Sequence, residues 1–117
     1  MVFIWNDYTK NKMDLYELFK LIKKRPGMFL GHISIKNLYI FLQGYYFARR
    51  DLKVVATEQD TEFNGFQDWI QEKYDVKTCH SWASIILLNS EDDKATFWKF
   101  FDLLEEYKQF VGSKNAN

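Results

Sequence analysis

The chain has 117 residues, of which 47% are apolar and 27% charged. This suits one globular domain and excludes an intrinsically disordered composition. Sixteen Lys/Arg balance sixteen Asp/Glu, and a formal charge of zero excludes a generic polyanion binder. Aromatics are the surplus, at 11 Phe, 7 Tyr and 4 Trp; with roughly 150–250 Å² buried per ring, they can fill a core even in a short chain.

Residues 1–12 open on Met-Val-Phe-Ile-Trp and turn polar at Asn6. The apolar run is too short for a signal peptide and has no basic stretch before it, so these residues read as a leader or a loosely attached segment. The first helix is expected over Met13–Lys24, where Leu15, Leu18, Phe19 and Ile22 recur at helical spacing. Arg25-Pro26-Gly27 stops it, since a residue before proline avoids the helical region and glycine permits the turn. Met28–Ile33 then reads as an apolar loop that tucks Met28, Phe29 and Leu30 under the next helix.

Ser34 is a fair N-cap for a second helix over Ile35–Arg50. Leu38, Tyr39, Ile40, Phe41, Leu42, Tyr45, Tyr46 and Phe47 make it apolar almost all round, which predicts a place in the middle of a bundle. Gly44 inside it costs about 1 kcal/mol against alanine, and close approach of another helix would explain it. Asp51–Thr61 reads as a loop with a short extended piece at Val54-Val55. Asn64 with Gln67 resembles a capping box, opening a third helix over Gly65–Tyr74 with Phe66, Trp69 and Ile70 inward and Asp68, Gln71, Glu72 and Asp75 outward.

Trp82–Leu88 fits either a buried strand or a buried helix; Ser81 as N-cap and the want of a strand partner favour the helix. Ser90 with Asp93 signals the start of a last helix over Glu91–Val111, with Phe97, Phe100, Phe101, Leu104 and Val111 inward, Gly112 as the stop and 113–117 as a frayed tail. The expected fold is therefore all-α: one compact domain of about five helices over residues 13–112.

Catalytic patterns are missing. The sequence has no HExxH motif, no Cys/His cluster at zinc spacing and no P-loop, so neither an enzyme nor a bound metal or cofactor is expected. Cys79-His80-Ser81 invites a thiol reading, but a nucleophile and its base usually meet through the fold rather than as neighbours. The one cysteine allows no internal disulfide, and a lone thiol suits the reducing cytoplasm. No run approaches the ~18 apolar residues of a membrane span. Arg25-Pro26-Gly27-Met28-Phe29-Leu30-Gly31 resembles a string near the nucleotide site of gyrase B-type ATPases. Those enzymes also need an acidic-Asn helix and an Asp-x-Gly-x-Gly loop; the five glycines here form no such loop.

Taken with its surroundings, the same string carries another resemblance. Leu15-Tyr16-Glu17-Leu18, Lys24-Arg25-Pro26-Gly27 through Gly31, Ser34-Ile35, Leu38 through Gly44-Tyr45, Phe66-x-x-Trp69-Ile70, Ser81-Trp82-x-x-Ile85-Ile86 and Phe97 through Leu104 occur in this order. The pattern, over about residues 13–108, resembles small bacterial proteins encoded beside polymorphic toxins, among them immunity proteins of contact-dependent growth inhibition systems. The resemblance implies a cytoplasmic protein that binds and neutralises a cognate toxin, often a nuclease. It rests on core and turn residues and assigns no contact site.

Charge patterning points the same way. Residues 1–57 carry 10 Lys/Arg against 4 Asp/Glu, a net of +6, and residues 58–117 carry 6 against 12, a net of −6. On a wheel at about 100° per residue, Glu91, Trp98, Asp102, Glu105, Glu106 and Gln109 lie away from the Phe97/Phe101/Leu104 stripe. A partly exposed Trp98 rimmed by carboxylates, with Asp68, Glu72 and Asp75 on the third helix, is the expected toxin-binding surface: nuclease clefts are basic, and acidic groups mimic phosphate. The bland alternative is a solvated helix face with Trp98 capping a second core layer against residues 1–12. A second function would use the basic half. There Lys20, Lys23, Lys24, Arg25, Lys36, Arg49, Arg50 and Lys53 would contact nucleic acid and Tyr45 or Tyr46 would stack. The spread of these cations over several faces disfavours it.

Overall fold

The computed structural model describes residues 13–77 and 80–116. The proposed leader at 1–12 and Cys79 lie outside the described residues. Among the described residues there are seven helices and no strand: α1 Leu15–Lys24, α2 Pro26–Leu30, α3 Ile35–Asp51, α4 Glu58–Phe63, α5 Phe66–Lys73, α6 Trp82–Leu88 and α7 Asp93–Asn115. The all-α expectation holds. Five helices become seven because α2 and α4 are single short turns inside the segments expected as loops, too brief for a periodic signal.

Six of the seven starts have a chemical reason. Asp14 accepts from the N–H of Leu15 to open α1, and Pro26 sits in the first turn of α2, where its missing N–H costs nothing. Ser34 accepts from Asn37 N, Ser81 from Ser84 N, and Asp92 from Ala95 N at the head of α7. Thr57 and Asp60 form a reciprocal capping box at α4.

Three local expectations are overturned. The capping box belongs to Thr57/Asp60, not Asn64/Gln67: α5 starts after Gly65 with no side-chain cap. Gln67 instead bridges to α6, accepting from Trp82 N at 2.7 Å and donating to His80 O at 3.0 Å. Asp92, not Ser90, caps α7. Gly112 does not end α7, which runs on to Asn115, since a glycine on an exposed turn weakens a helix by only about 1 kcal/mol.

The core is an aromatic cluster to which six helices contribute. Phe19 of α1, Phe63 of α4, Phe66 of α5, Trp82 of α6 and Phe100 of α7 are buried. Their rings meet at 4.9 Å for Trp82–Phe100, 5.0 Å for Phe63–Phe66 and 5.4 Å for Phe19–Phe100. Tyr39 of α3 joins edge-on to Trp82 at 5.5 Å. Edge-to-face pairs of this kind add about 0.5–1.5 kcal/mol each beyond burial.

α3 is the largest departure. It lies at the periphery, not in the middle: only Ile35, Leu38 and Leu42 are buried, while Ile40 is 68% exposed and Phe47 65%. A Cβ added at Gly44 would meet nothing within 4 Å, so none of the described helices approaches there. The Met28–Leu30 segment tucks in only in part, with Leu30 buried, Phe29 half-buried against Phe41 at 6.2 Å, and Met28 exposed. Val54 and Val55 are exposed and form no strand.

Candidate functional site

Every residue expected at the binding surface is exposed. Trp98, Asp102, Glu105 and Glu106 lie on α7, Asp68 and Glu72 on α5, Asp75 just past the end of α5, and Glu91 in the turn before α7. The Phe97, Phe100, Phe101 and Leu104 side chains hold the opposite face of α7 in the core, joined by Leu103 and Tyr107, and Val111 is half-buried. Trp98 is 39% exposed, with its ring set edge-on to Phe97 at 4.9 Å.

α5 and α7 run antiparallel as neighbours. Trp69 packs against Tyr107 at 5.5 Å and Phe110 at 6.4 Å, Lys73 pairs with Glu106 at 2.9 Å, and Lys99 stands 5.6 Å over Tyr74. On the α7 wheel, Asp102 and Glu106 therefore edge toward the α5 carboxylates, while Trp98 and Glu105 face away from that seam. The expected residues thus form one acidic seam and a second ridge beside it, with Glu91 apart at the head of α7.

The seam is not uniformly acidic. Lys73 partly neutralises Glu106 and stands 5.4 Å over Trp69, and on the ridge beside it Lys108 pairs with Glu105 at 3.2 Å. Asp68, Glu72 and Asp75 are the less compensated group and, with Gln71, Val76 and Lys77, line a surface hollow of about 470 Å³. Asp75 occupies the left-handed region at φ 52. Val76 N donates to Gln71 O at 2.9 Å and Asp75 N to Glu72 O at 3.2 Å, the double closure that ends helices on an αL residue. An aspartate there is doubly costly: glycine fits the conformation better, and an anion at a helix C-terminus opposes the dipole.

Phe110 was missed. It is 43% exposed, lies beside Trp69 on the same seam, and has Lys114 at 5.2 Å over its ring. Its position one helical turn after Glu106 is the signal the sequence offers for it.

The basic half is less available than its sequence suggests. Lys20, Lys23, Lys24, Arg25, Lys36, Arg50 and Lys53 are exposed, but Arg49 is half-buried and pairs with Asp60 at 2.8 Å. Tyr45 and Tyr46 are half-buried against each other, with Arg49 over the Tyr45 ring at 5.1 Å. Asp60 in turn accepts from Thr57 N at 2.8 Å, and Thr57 Oγ1 donates to Asp14 at 2.7 Å. This chain of contacts ties the ends of α1, α3 and α4 together. Burial alone would raise the Asp60 pKa, but the Arg49 and Thr57 hydrogen bonds outweigh it and hold the carboxyl below its ordinary range.

Among the described residues no group of three or more His, Cys, Asp and Glu could hold a metal ion, and no helix is long and apolar enough to cross a membrane. Comparison with protein-family models, curated proteins and solved structures found no match for this chain.

Proposed function

We propose that this chain is an immunity protein, which binds a cognate toxin in the cytoplasm of the producing bacterium and occludes the toxin's active site or substrate surface. The observation that carries the reading is the outer surface of α7 and α5. It leaves Trp98 and Phe110 partly exposed among Asp68, Glu72, Asp75, Asp102, Glu105 and Glu106. An aromatic anchor rimmed by carboxylates suits a basic partner: the ring supplies desolvated contact, and the charges speed encounter and fix register. A nuclease toxin domain fits because its substrate cleft must attract phosphate. The sequence resemblance to toxin-linked immunity proteins supports the same class.

The test is a calorimetric titration of the purified chain with the toxin domain encoded beside its gene. Submicromolar binding is expected. Trp98→Ala, or Asp102→Lys with Glu105→Lys, should weaken it by at least about tenfold, worth roughly 1.4 kcal/mol, with melting temperature and helicity held. No binding at micromolar concentration rejects the proposal. A salt-sensitive shift of DNA or RNA by the chain alone would favour the nucleic-acid reading instead; Arg49, held by Asp60, counts against that outcome.

A further inference from the structure

α3 carries an outward face that no other described helix covers. Lys36, Ile40, Gln43, Gly44, Phe47 and Asp51 are all exposed, and at 100° per residue they fall within an arc of about 100°. The two large apolar side chains are more than three-fifths exposed. Three features on this face carry a cost that no contact among the described residues offsets. Ile40 and Phe47 expose apolar area to water. Gly44 weakens the helix interior by about 1 kcal/mol although a Cβ there would meet nothing within 4 Å. Asp51 places an anion in the last turn, against the dipole.

We infer that this face is an isologous dimer interface, occupied by α3 of a second copy packed antiparallel about a two-fold axis. The pattern is self-complementary. Placing the axis midway between Gln43 and Gly44 sets Lys36 opposite Asp51 of the second copy, Ile40 opposite Phe47, and Gln43 opposite Gly44. A two-fold interface requires that if one residue meets another, the reverse contact also forms, and all six positions satisfy it. Oppositely charged side chains close both ends, apolar pairs fill the space between, and the glycine lies at the crossing, where the missing side chain lets two helices approach. The groove between α3 and α6, lined by Lys36, Tyr39, Ile40, Ala83, Ser84 and Leu87, continues the face and gives the opposing Phe47 ring a place beside Ile40. None of these residues belongs to the acidic surface of α5 and α7, so a dimer would carry two copies of that surface.

The test is sedimentation equilibrium of the full chain at about 100 µM, a concentration at which a micromolar dimer is mostly assembled. The expected mass is twice the 14.1 kDa of the chain. Ile40→Glu should give monomer, with the far-ultraviolet circular dichroism of the parent. Asp51→Lys alone should raise the dissociation constant at least about fivefold by setting like charges together, while its new cation suits the helix end. Adding Lys36→Asp should restore the parent affinity. A chain that sediments as a monomer at this concentration overturns the inference, whatever else covers the face. So does a dimer indifferent to Ile40→Glu, or one that Lys36→Asp fails to rescue.

Discussion

Asp93, the first residue of α7, caps the helix that begins at Ile35. Its Oδ1 accepts from Ile35 N at 2.8 Å and from Lys36 N at 3.1 Å, so two of the four unpaired N–H groups at the head of α3 are satisfied by a residue 58 positions away. Asp93→Ala should cost about 1–2 kcal/mol, read as a lower urea midpoint with an unchanged slope, and Asp93→Asn should recover part of the loss. An unchanged midpoint would show that water caps α3 equally well.

The same contact predicts acid lability. Burial would raise the Asp93 pKa, but hydrogen bonds from Ser34, Lys36 and Ile35 overcome it and lower the value; Asp60 is lowered in the same way by Arg49 and Thr57. A carboxyl whose folded pKa is depressed contributes stability above its unfolded value, near 3.9. That stability is lost as pH falls through the folded value. Melting temperature should therefore hold down to about pH 5 and fall below pH 4. The double variant Asp60→Asn with Asp93→Asn should melt lower at pH 7 and lose less on acidification; an acid slope equal to the parent's would assign the effect to other carboxyls.

Gly65 and Tyr107 are coupled. A Cβ at Gly65 would stand 2.5 Å from the Tyr107 hydroxyl, which donates to Glu62 O. Gly65→Ala should thus push the ring off its acceptor and cost about 1–3 kcal/mol. With Tyr107→Phe already in place, the same substitution should cost clearly less, since the clashing oxygen is gone. Additive losses in the double-mutant cycle would refute the coupling.

Asp75 offers a trade of stability for binding. Asp75→Gly relieves both the left-handed backbone and the charge at the end of α5 and should stabilise the fold by about 1 kcal/mol. If the acidic hollow contacts a basic partner, the same change should weaken that complex and flatten its salt dependence. A thermal melt and a titration at two salt concentrations read both effects.

Some of this was legible in the chain and some was not, and the division has a physical basis. A helix announces itself through side chains three and four positions apart and a cap within one turn. The spacing of Leu15, Leu18, Phe19 and Ile22, Ser34 before Ile35, and Ser81 before Trp82 therefore sufficed to place α1, α3 and α6. The wheel likewise put Trp98, Asp102 and Glu105 outward, because one covalent helix fixes their directions once Phe97 and Phe101 are inward. What lies across the fold carries no local signature. Gln67 serves α6 and not its own helix, and Asp93 caps α3. Arg49 is taken up by Asp60, and Phe110 shares a seam with Trp69. The apolar ring around α3 promised a central helix, yet burial depends on which neighbours pack around it. The other helices cover only Ile35, Leu38 and Leu42 completely. Sequence alone determined the five longer helices and the sign of the charge on their faces, since both are set by residues one turn apart. The tertiary structure decided which ionic groups are already paired and which apolar face remains open, since those depend on distances between segments far apart in the chain.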